Sequence, residues 1–426
     1  MADEGLASDL RGAGRLAITA TLGVTRLAEA LHSAIGRLSP PVGPPAPARA
    51  RGLSGLVYGA VRGTTRLVGG GLDAALALLQ PLLGPDVRWP GRDPVLAALQ
   101  GVLGDHLERT SNPLAVPMQV RRDGVALDLD GATLASSVPD ARGHVLLMIH
   151  GLCMSDVQWR RNGHDHGAAL ARRLGATATY LRYNSGLHVS VNGRRLSELL
   201  ERLLQAWPVP VTRLTLIGHS MGGLVARSAV ECARAGGAAW LSRVGALVFL
   251  GTPHHGAPLE RGGHWIETLL GVSPYSAAFV PLGRIRSAGV TDLRHGSLLD
   301  ADWQGRDRFA HGHDTRVPVA LPEGIACYAI AAVAGQRVDP LATQLIGDGL
   351  VPLDSALGRH QDPRRALAFP PAHTRIVRRT HHLGLLSSPT VTRQLLRWLA
   401  PARGAGGAPP RGAAGPTARG AVDICQ

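Results

Sequence analysis

The stretch Leu214-Thr215-Leu216-Ile217-Gly218-His219-Ser220-Met221-Gly222-Gly223 decides how this chain is read. A short strand-like run, Leu214–Ile217, enters Gly218-x-Ser220-x-Gly222, and a helix-prone run, Met221–Arg234, leaves it. A strand that turns into a helix this abruptly strains the backbone at the turn residue, and small flanking glycines prevent clashes. Ser220 is therefore predicted to hold its hydroxyl clear at the carboxyl edge of a sheet. The N-terminus of the following helix would favour negative charge developing there.

Outward from this turn, strands and helices alternate. His144–Ile149 reads as a buried strand, His164–Leu174 as a helix, Thr177–Tyr183 as a strand and Leu196–Trp207 as a helix. Val244–Leu250, Ile325–Ala332 and Thr374–Val377 are further strands, and Thr390–Leu399 is a closing helix. Repeated β-α-β order predicts an α/β class with a mostly parallel sheet and right-handed crossovers. Ahead of it, Met118–Arg122 and Val125–Leu129 flank Asp123-Gly124 as a hairpin. The alternation lapses between Pro258 and Pro322, which suits a cap inserted over a site.

A nucleophilic serine needs a base, and 18 histidines compete. The order nucleophile, acid, histidine places the base after Ser220. His254 and His255 follow their strand too soon to leave room for an acid. His311 and His313 with Asp314 read as solvated loop and not as metal ligands. Asp348, in the turn Gly347-Asp348-Gly349, and His382, in the loop after Thr374–Val377, reach one sheet edge from successive strands. Asp354 and His381 are their nearest rivals. For an oxyanion the donors expected are the backbone N–H groups of Met221 and of Leu152, after His150-Gly151. Cys153 beside them lacks a base and reads as packing.

In order, His150-Gly151, Gly218–Gly223, Gly251-Thr252-Pro253-His254-His255-Gly256, Gly347–Val351 and His382-Leu383 resemble the lipase and esterase branch of the α/β-hydrolases. Bacterial triacylglycerol lipases and GPI inositol-deacylase-like hydrolases share these blocks, and the resemblance spans 143–399. It implies an α/β-hydrolase fold with cap, a triad of Ser220, Asp348 and His382, and an oxyanion hole at Leu152 and Met221. It also implies cleavage of carboxylic esters, lipid-like or bulky and apolar, through an acyl-serine. The same chemistry would serve an acyltransferase, and a catalytically inactive module binding lipid surfaces is the reading from another class. Where many bacterial lipases carry a calcium-holding aspartate, two residues after the histidine, this chain has Gly384. No metal and no cofactor are expected.

Composition bounds the rest. In 426 residues, 45% hydrophobic and 18% charged, a large core is available and wholesale disorder is excluded. The net charge of +14 is carried by arginine in an Ala- and Gly-rich chain, the mark of a coding bias. With few aromatics, it does not argue for nucleic acid. Four scattered cysteines form no C-x-x-C pair. The acidic start Met1-Ala2-Asp3-Glu4 lacks the look of an export signal, and Leu67–Pro85 contains Asp73 and Pro81 and reads as a buried or interfacial helix. The expected location is cytoplasmic, peripheral to a lipid surface if the N-terminus docks there. Residues 1–38 read as an amphipathic helix with Arg11, Arg15, Arg26, Glu29 and Arg37 on one side and Leu16, Val24, Leu27, Leu31, Ile35 and Leu38 on the other, a pattern that Ile18 and Leu22 break. Such a helix packs on its own domain or lies on a lipid surface. A Pro-rich linker (39–50), an accessory helical region (51–115), the catalytic domain (116–400, cap about 258–322) and a disordered tail (401–426) complete the division.

Overall fold

The apolar runs of the sequence lie side by side as the middle of an eight-stranded sheet, in a computed structural model that describes residues 8–22, 59–67, 70, 73, 92–257, 286–309, 313–335 and 347–400. The Pro-rich linker, the tail, the first part of the cap and His311 fall outside the described residues.

The strands are β1 (Gln119–Arg122), β2 (Val125–Ala126), β3 (His144–Ile149), β4 (Thr177–Arg182), β5 (Arg213–His219), β6 (Val244–Leu250), β7 (Ala326–Val333) and β8 (Thr374–Arg378). Their order is β2-β1-β4-β3-β5-β6-β7-β8. All neighbours from β4 to β8 are parallel, and the β1–β2 hairpin joins β4 antiparallel. Asp123 and Gly124 both take positive φ (51° and 79°) at the hairpin turn, as the sequence there favours. The register pairs Ile149 with Gly218, His219 with Leu250, and Leu250 with Ile330. The carboxyl ends of β3, β5, β6 and β7 are thereby level, and the loops that follow open on one edge.

Helices cover both faces. On one side lie α1 (Arg92–Arg109), α4 (Val189–Ala206) and α5 (Met221–Gly236); on the other, α3 (His166–Leu174) and α8 (Pro389–Leu399). Three short helices, α2 (Gly131–Ser137), α6 (Ala288–Asp292) and α7 (Leu353–Ala356), fill the loops. The central strands are buried on both faces, which is why they read as continuous apolar runs and not as alternations.

α4 begins seven residues before the helix expected at Leu196. Its first turns bury Val189, Asn192 and Gly193, and a Cβ on Gly193 would lie 2.5 Å from Ser228 Cβ of α5. Close approach of two backbones through small and polar residues leaves no apolar period to read.

The described end of the accessory region, from Arg92 onward, is part of the core. Leu96, Leu99, Val102, Leu103 and Leu107 of α1 join the cluster that β3, β5 and α5 share. Each fully buried leucine contributes roughly 1.5–3 kcal/mol. Residues 8–22 are helical and rest on α1. Asp9 and Arg92 form a buried ion pair at 2.6 Å, Asn112 Nδ2 donates to the Gly12 carbonyl at 3.1 Å, and Leu16 packs against the core cluster. Arg11 and Arg15 of the expected basic stripe both reach Asp73 (3.3 and 2.8 Å). Among the described residues, no helix is long and apolar enough to cross a membrane.

Candidate active site

Ser220 sits between β5 and α5 with φ 53° and ψ −126°, a backbone region unfavourable to an L-residue. Its N–H donates to the Leu250 carbonyl at 2.8 Å, which pins the turn to β6. Gly218 and Gly222 make the turn possible. A Cβ on Gly218 would lie 2.6 Å from the Gly222 carbonyl carbon, and one on Gly222 would lie 2.8 Å from that of Ile149. The start of α5 is thereby pressed against the end of β3. Met221, as the first helical residue, has an N–H with no acceptor inside the helix.

The loop after β3 closes over the serine from the other side. A Cβ on Gly151 would lie 3.0 Å from Ser220 Cβ. This loop is fixed by contacts the sequence did not announce. His150 Nδ1–H donates to the Gly151 carbonyl at 2.8 Å, its Nε2 accepts from the Tyr183 amide at 3.4 Å, and the Tyr183 hydroxyl donates back to the His150 carbonyl at 2.8 Å. The rings stack 4.3 Å apart. Burial lowers the His150 imidazole to about 4, so it stays neutral in this tautomer. Ser185 Oγ accepts the Cys153 amide at 3.2 Å. The Cys153 thiol is raised by burial to about 12, which makes it a poor nucleophile.

Asp348 and His382 meet. His382 Nδ1 lies 2.7 Å from Asp348 Oδ2, and both side chains are buried. Asp348 Oδ1 accepts the Leu350 and Val351 amides at 3.0 and 2.9 Å, so the turn around the aspartate fixes its carboxylate. The His382 amide donates to the Asp348 carbonyl at 3.1 Å. His382 Nε2 is buried without a hydrogen-bond partner, Ser220 Oγ included. Serine–histidine contacts of this kind are often long before a substrate binds.

The rivals lie elsewhere. His381 is exposed, and Asp354 is half-exposed beside Arg359 at 3.4 Å. His313 is exposed, and Asp314 is held by Arg316 and Arg365. His254 is buried against Arg227. Among the described residues, no three His, Cys, Asp or Glu side chains converge as metal ligands.

His219, the variable position of the glycine–serine motif, has a place of its own. Burial and the neighbouring His382 keep it neutral, well below the usual histidine range. Its Nε2–H donates to the His382 carbonyl at 3.2 Å, and the two rings lie 4.7 Å apart. It ties the elbow to the histidine loop.

A family model, the PGAP1-like alpha/beta domain, matches residues 140–320, from just before β3 to the residue after Val319. The chain has the α/β-hydrolase fold. Within it the match includes Ser220 and the His150–Leu152 loop and ends before Asp348 and His382. The resemblance to lipase- and esterase-like α/β-hydrolases read from the sequence stands. Among solved structures, the chain is similar to Bacillus licheniformis lipase BlEst2 in mature form, at 16% identity and TM-score 0.40, covering 67% of this chain and 99% of that one. It is also similar to Aspergillus fumigatus lipase B (11%, TM-score 0.37, 64% of this chain and 54% of that one) and to the Pyrococcus furiosus esterase Pf2001 (13%, TM-score 0.34, 61% and 85%). No curated protein matches the sequence.

Proposed function

We propose that the protein is a serine hydrolase that cleaves carboxylic esters, lipid-like or with bulky apolar acyl groups, through an acyl-serine intermediate. The observation that carries this is the buried Asp348–His382 pair, with His382 Nε2 unpaired at the sheet edge where the strained turn presents Ser220. Ser220 Oγ attacks the ester carbonyl while His382 Nε2 takes its proton. Asp348, already holding Nδ1–H, stabilises the imidazolium. The amides of Leu152 and Met221 receive the oxyanion. His382 returns the proton to the leaving alkoxide, and water, activated by the same histidine, releases the acid. The PGAP1-like match supports a lipid-like ester as substrate.

Labelling with a fluorophosphonate, read by peptide mass spectrometry, tests the reading. Ser220 takes the label, Ser220→Ala abolishes it along with ester hydrolysis, and both proteins give the same circular dichroism. An unlabelled Ser220 in folded protein overturns it in favour of an inactive binding module. Product analysis with an added alcohol identifies an acyltransferase if a new ester outweighs the free acid.

A further inference from the structure

Arg227 is a buried guanidinium with no acid to meet it. It stands in the middle of α5, two turns beyond Ser220. Nη2 donates to the Val319 carbonyl at 2.5 Å and Nη1 to His254 Nδ1 at 3.3 Å, while Nε–H has no partner. No carboxylate of the described residues forms an ion pair with it. Burial, helped by Arg316, lowers this guanidinium to about 10, which leaves it charged at neutral pH.

His254 supplies a second orphan donor. An arginine N–H can only donate, so His254 Nδ1 is the acceptor of that contact and Nε2 carries the hydrogen. Burial, then the charge of Arg227, keep this imidazole neutral. Its Nε2 is buried with no partner. Arg227 and His254 line one cavity of about 20 Å³, with Arg316, Arg365 and Asp302 around it. None of the nearby acids has capacity to spare. Asp302 accepts the amides of Leu298, Leu299 and Val317, and Asp314 lies between Arg316 and Arg365. Asp362 is shared by Arg364 and Arg365 (2.9 and 3.8 Å) and Glu231 pairs with Arg234 at 2.6 Å, so Arg227, Arg234, Arg316, Arg364 and Arg365 face Asp302, Asp314, Asp362 and Glu231 and leave one positive charge.

We propose that this cavity is a halide site, holding chloride between Arg227 Nε–H and His254 Nε2–H. Buried donors require an acceptor, and a net positive charge in a low dielectric favours an anion over water. A space of this size takes one water-sized occupant. It therefore suits a monatomic anion better than phosphate or sulfate, each with five heavy atoms. The ion would tie α5, which carries Ser220 at its start, to the loop after β6 and to the segment at Val319. The inference is independent of the reaction Ser220 performs.

The test has two readings on the full-length protein. Crystals grown in sodium bromide should show an anomalous bromine peak within hydrogen-bond reach of Arg227 and His254. In solution, replacing gluconate by chloride at constant ionic strength should raise Tm saturably, and Arg227→Met should abolish that rise. If Arg227→Met does not fold, the bromide peak together with saturable stabilisation of the wild type carries the result. Water at the position overturns the proposal. So does a bromine peak with a halide-independent Tm, which is binding at crystal concentration only, and so does stabilisation that persists in Arg227→Met.

Discussion

Gly101 of α1 lies against Cys153: a Cβ built on Gly101 would stand 2.9 Å from both the Cα and the amide nitrogen of Cys153, and closer still to its Sγ. Cys153 follows Leu152, whose amide is a proposed oxyanion donor, and has a positive φ of 57°. Cys153 Sγ also contacts the Ala98 carbonyl, and Ser287 Oγ donates to the Gly101 carbonyl at 2.6 Å. A helix from before the sheet thus forms one wall of the loop that would receive the oxyanion.

Gly101→Ala should therefore disturb turnover more than a helix substitution ordinarily does. Alanine favours a helix, but here its methyl must displace the Cys153 backbone. The expected result is a kcat for a short soluble ester lower by about 10²-fold, the scale of losing one oxyanion donor, with KM little changed. Stability should fall by about 1–3 kcal/mol from overpacking. Gly63→Ala, where a Cβ meets nothing within 4 Å, serves as the control. Equal kcat in the two variants would detach α1 from the oxyanion loop.

This relationship is not legible in the sequence, whereas the elbow and the histidine loop are. Ser220, Asp348 and His382 can be proposed from the sequence because chain order and strand ends constrain them. The sheet can be found because strands buried on both faces are apolar throughout. α1 looks accessory because its close contacts near the site run through Gly101, against Cys153, and Gly104, against Asn184 and Gly186, residues without an apolar signature. The early start of α4 is hidden by Asn192 and Gly193 for the same reason. His219 and Tyr183 act by hydrogen bonds to the carbonyls of His382 and His150, and spacing along a chain does not announce such bonds.

Asp348→Asn tests the histidine's tautomer. The Leu350 and Val351 amides should keep the side-chain oxygen of the introduced asparagine in place and leave its NH2 facing His382 Nδ1. Nδ1 would then accept, Nε2 would carry the hydrogen, and the ring could no longer take a proton from Ser220. A fall in kcat of about 10⁴-fold with unchanged fold is expected. A fall of less than tenfold at neutral pH would place the acid elsewhere, with Asp354 next to be substituted.

Stability should decline in mild acid before the carboxylates titrate. Burial lowers both His150 and His166 to about 4, from about 6.5 in an unfolded chain. Between those values the unfolded chain binds the extra protons, so stability is full above about pH 6.5 and falls as pH drops towards 4. Each group contributes a slope of about 1.4 kcal/mol per pH unit. Urea unfolding at steps from pH 7.5 to 4.5 measures it. His166→Gln, which loses the contact with the Leu385 carbonyl, should lower stability at pH 7.5 and flatten the slope by one proton. An unaltered slope would mean that His166 does not remain neutral in the fold.

The N-terminal helix presents two alternatives that one truncation separates. If residues 1–38 dock the enzyme on a lipid phase, a chain starting at Arg51 keeps its turnover on short soluble esters and loses activity on emulsified ones. The contacts of residues 8–22 favour the other outcome. Asp9 holds the side chain of Arg92 in a buried pair, and Arg92 is the first residue of α1. Removing Asp9 takes this acid from a buried guanidinium and lowers stability. α1 packs on the oxyanion loop through Gly101, so that loss should reach the site. Arg11 and Arg15 already reach Asp73, which leaves less charge for an anionic surface. The expected result is a lower Tm and a parallel loss of activity on soluble and emulsified esters. Asp9→Ala in the full-length chain should reproduce part of that Tm loss and leave the ratio of the two activities unchanged. A truncated protein with wild-type Tm and selective loss on emulsions would instead establish the docking role.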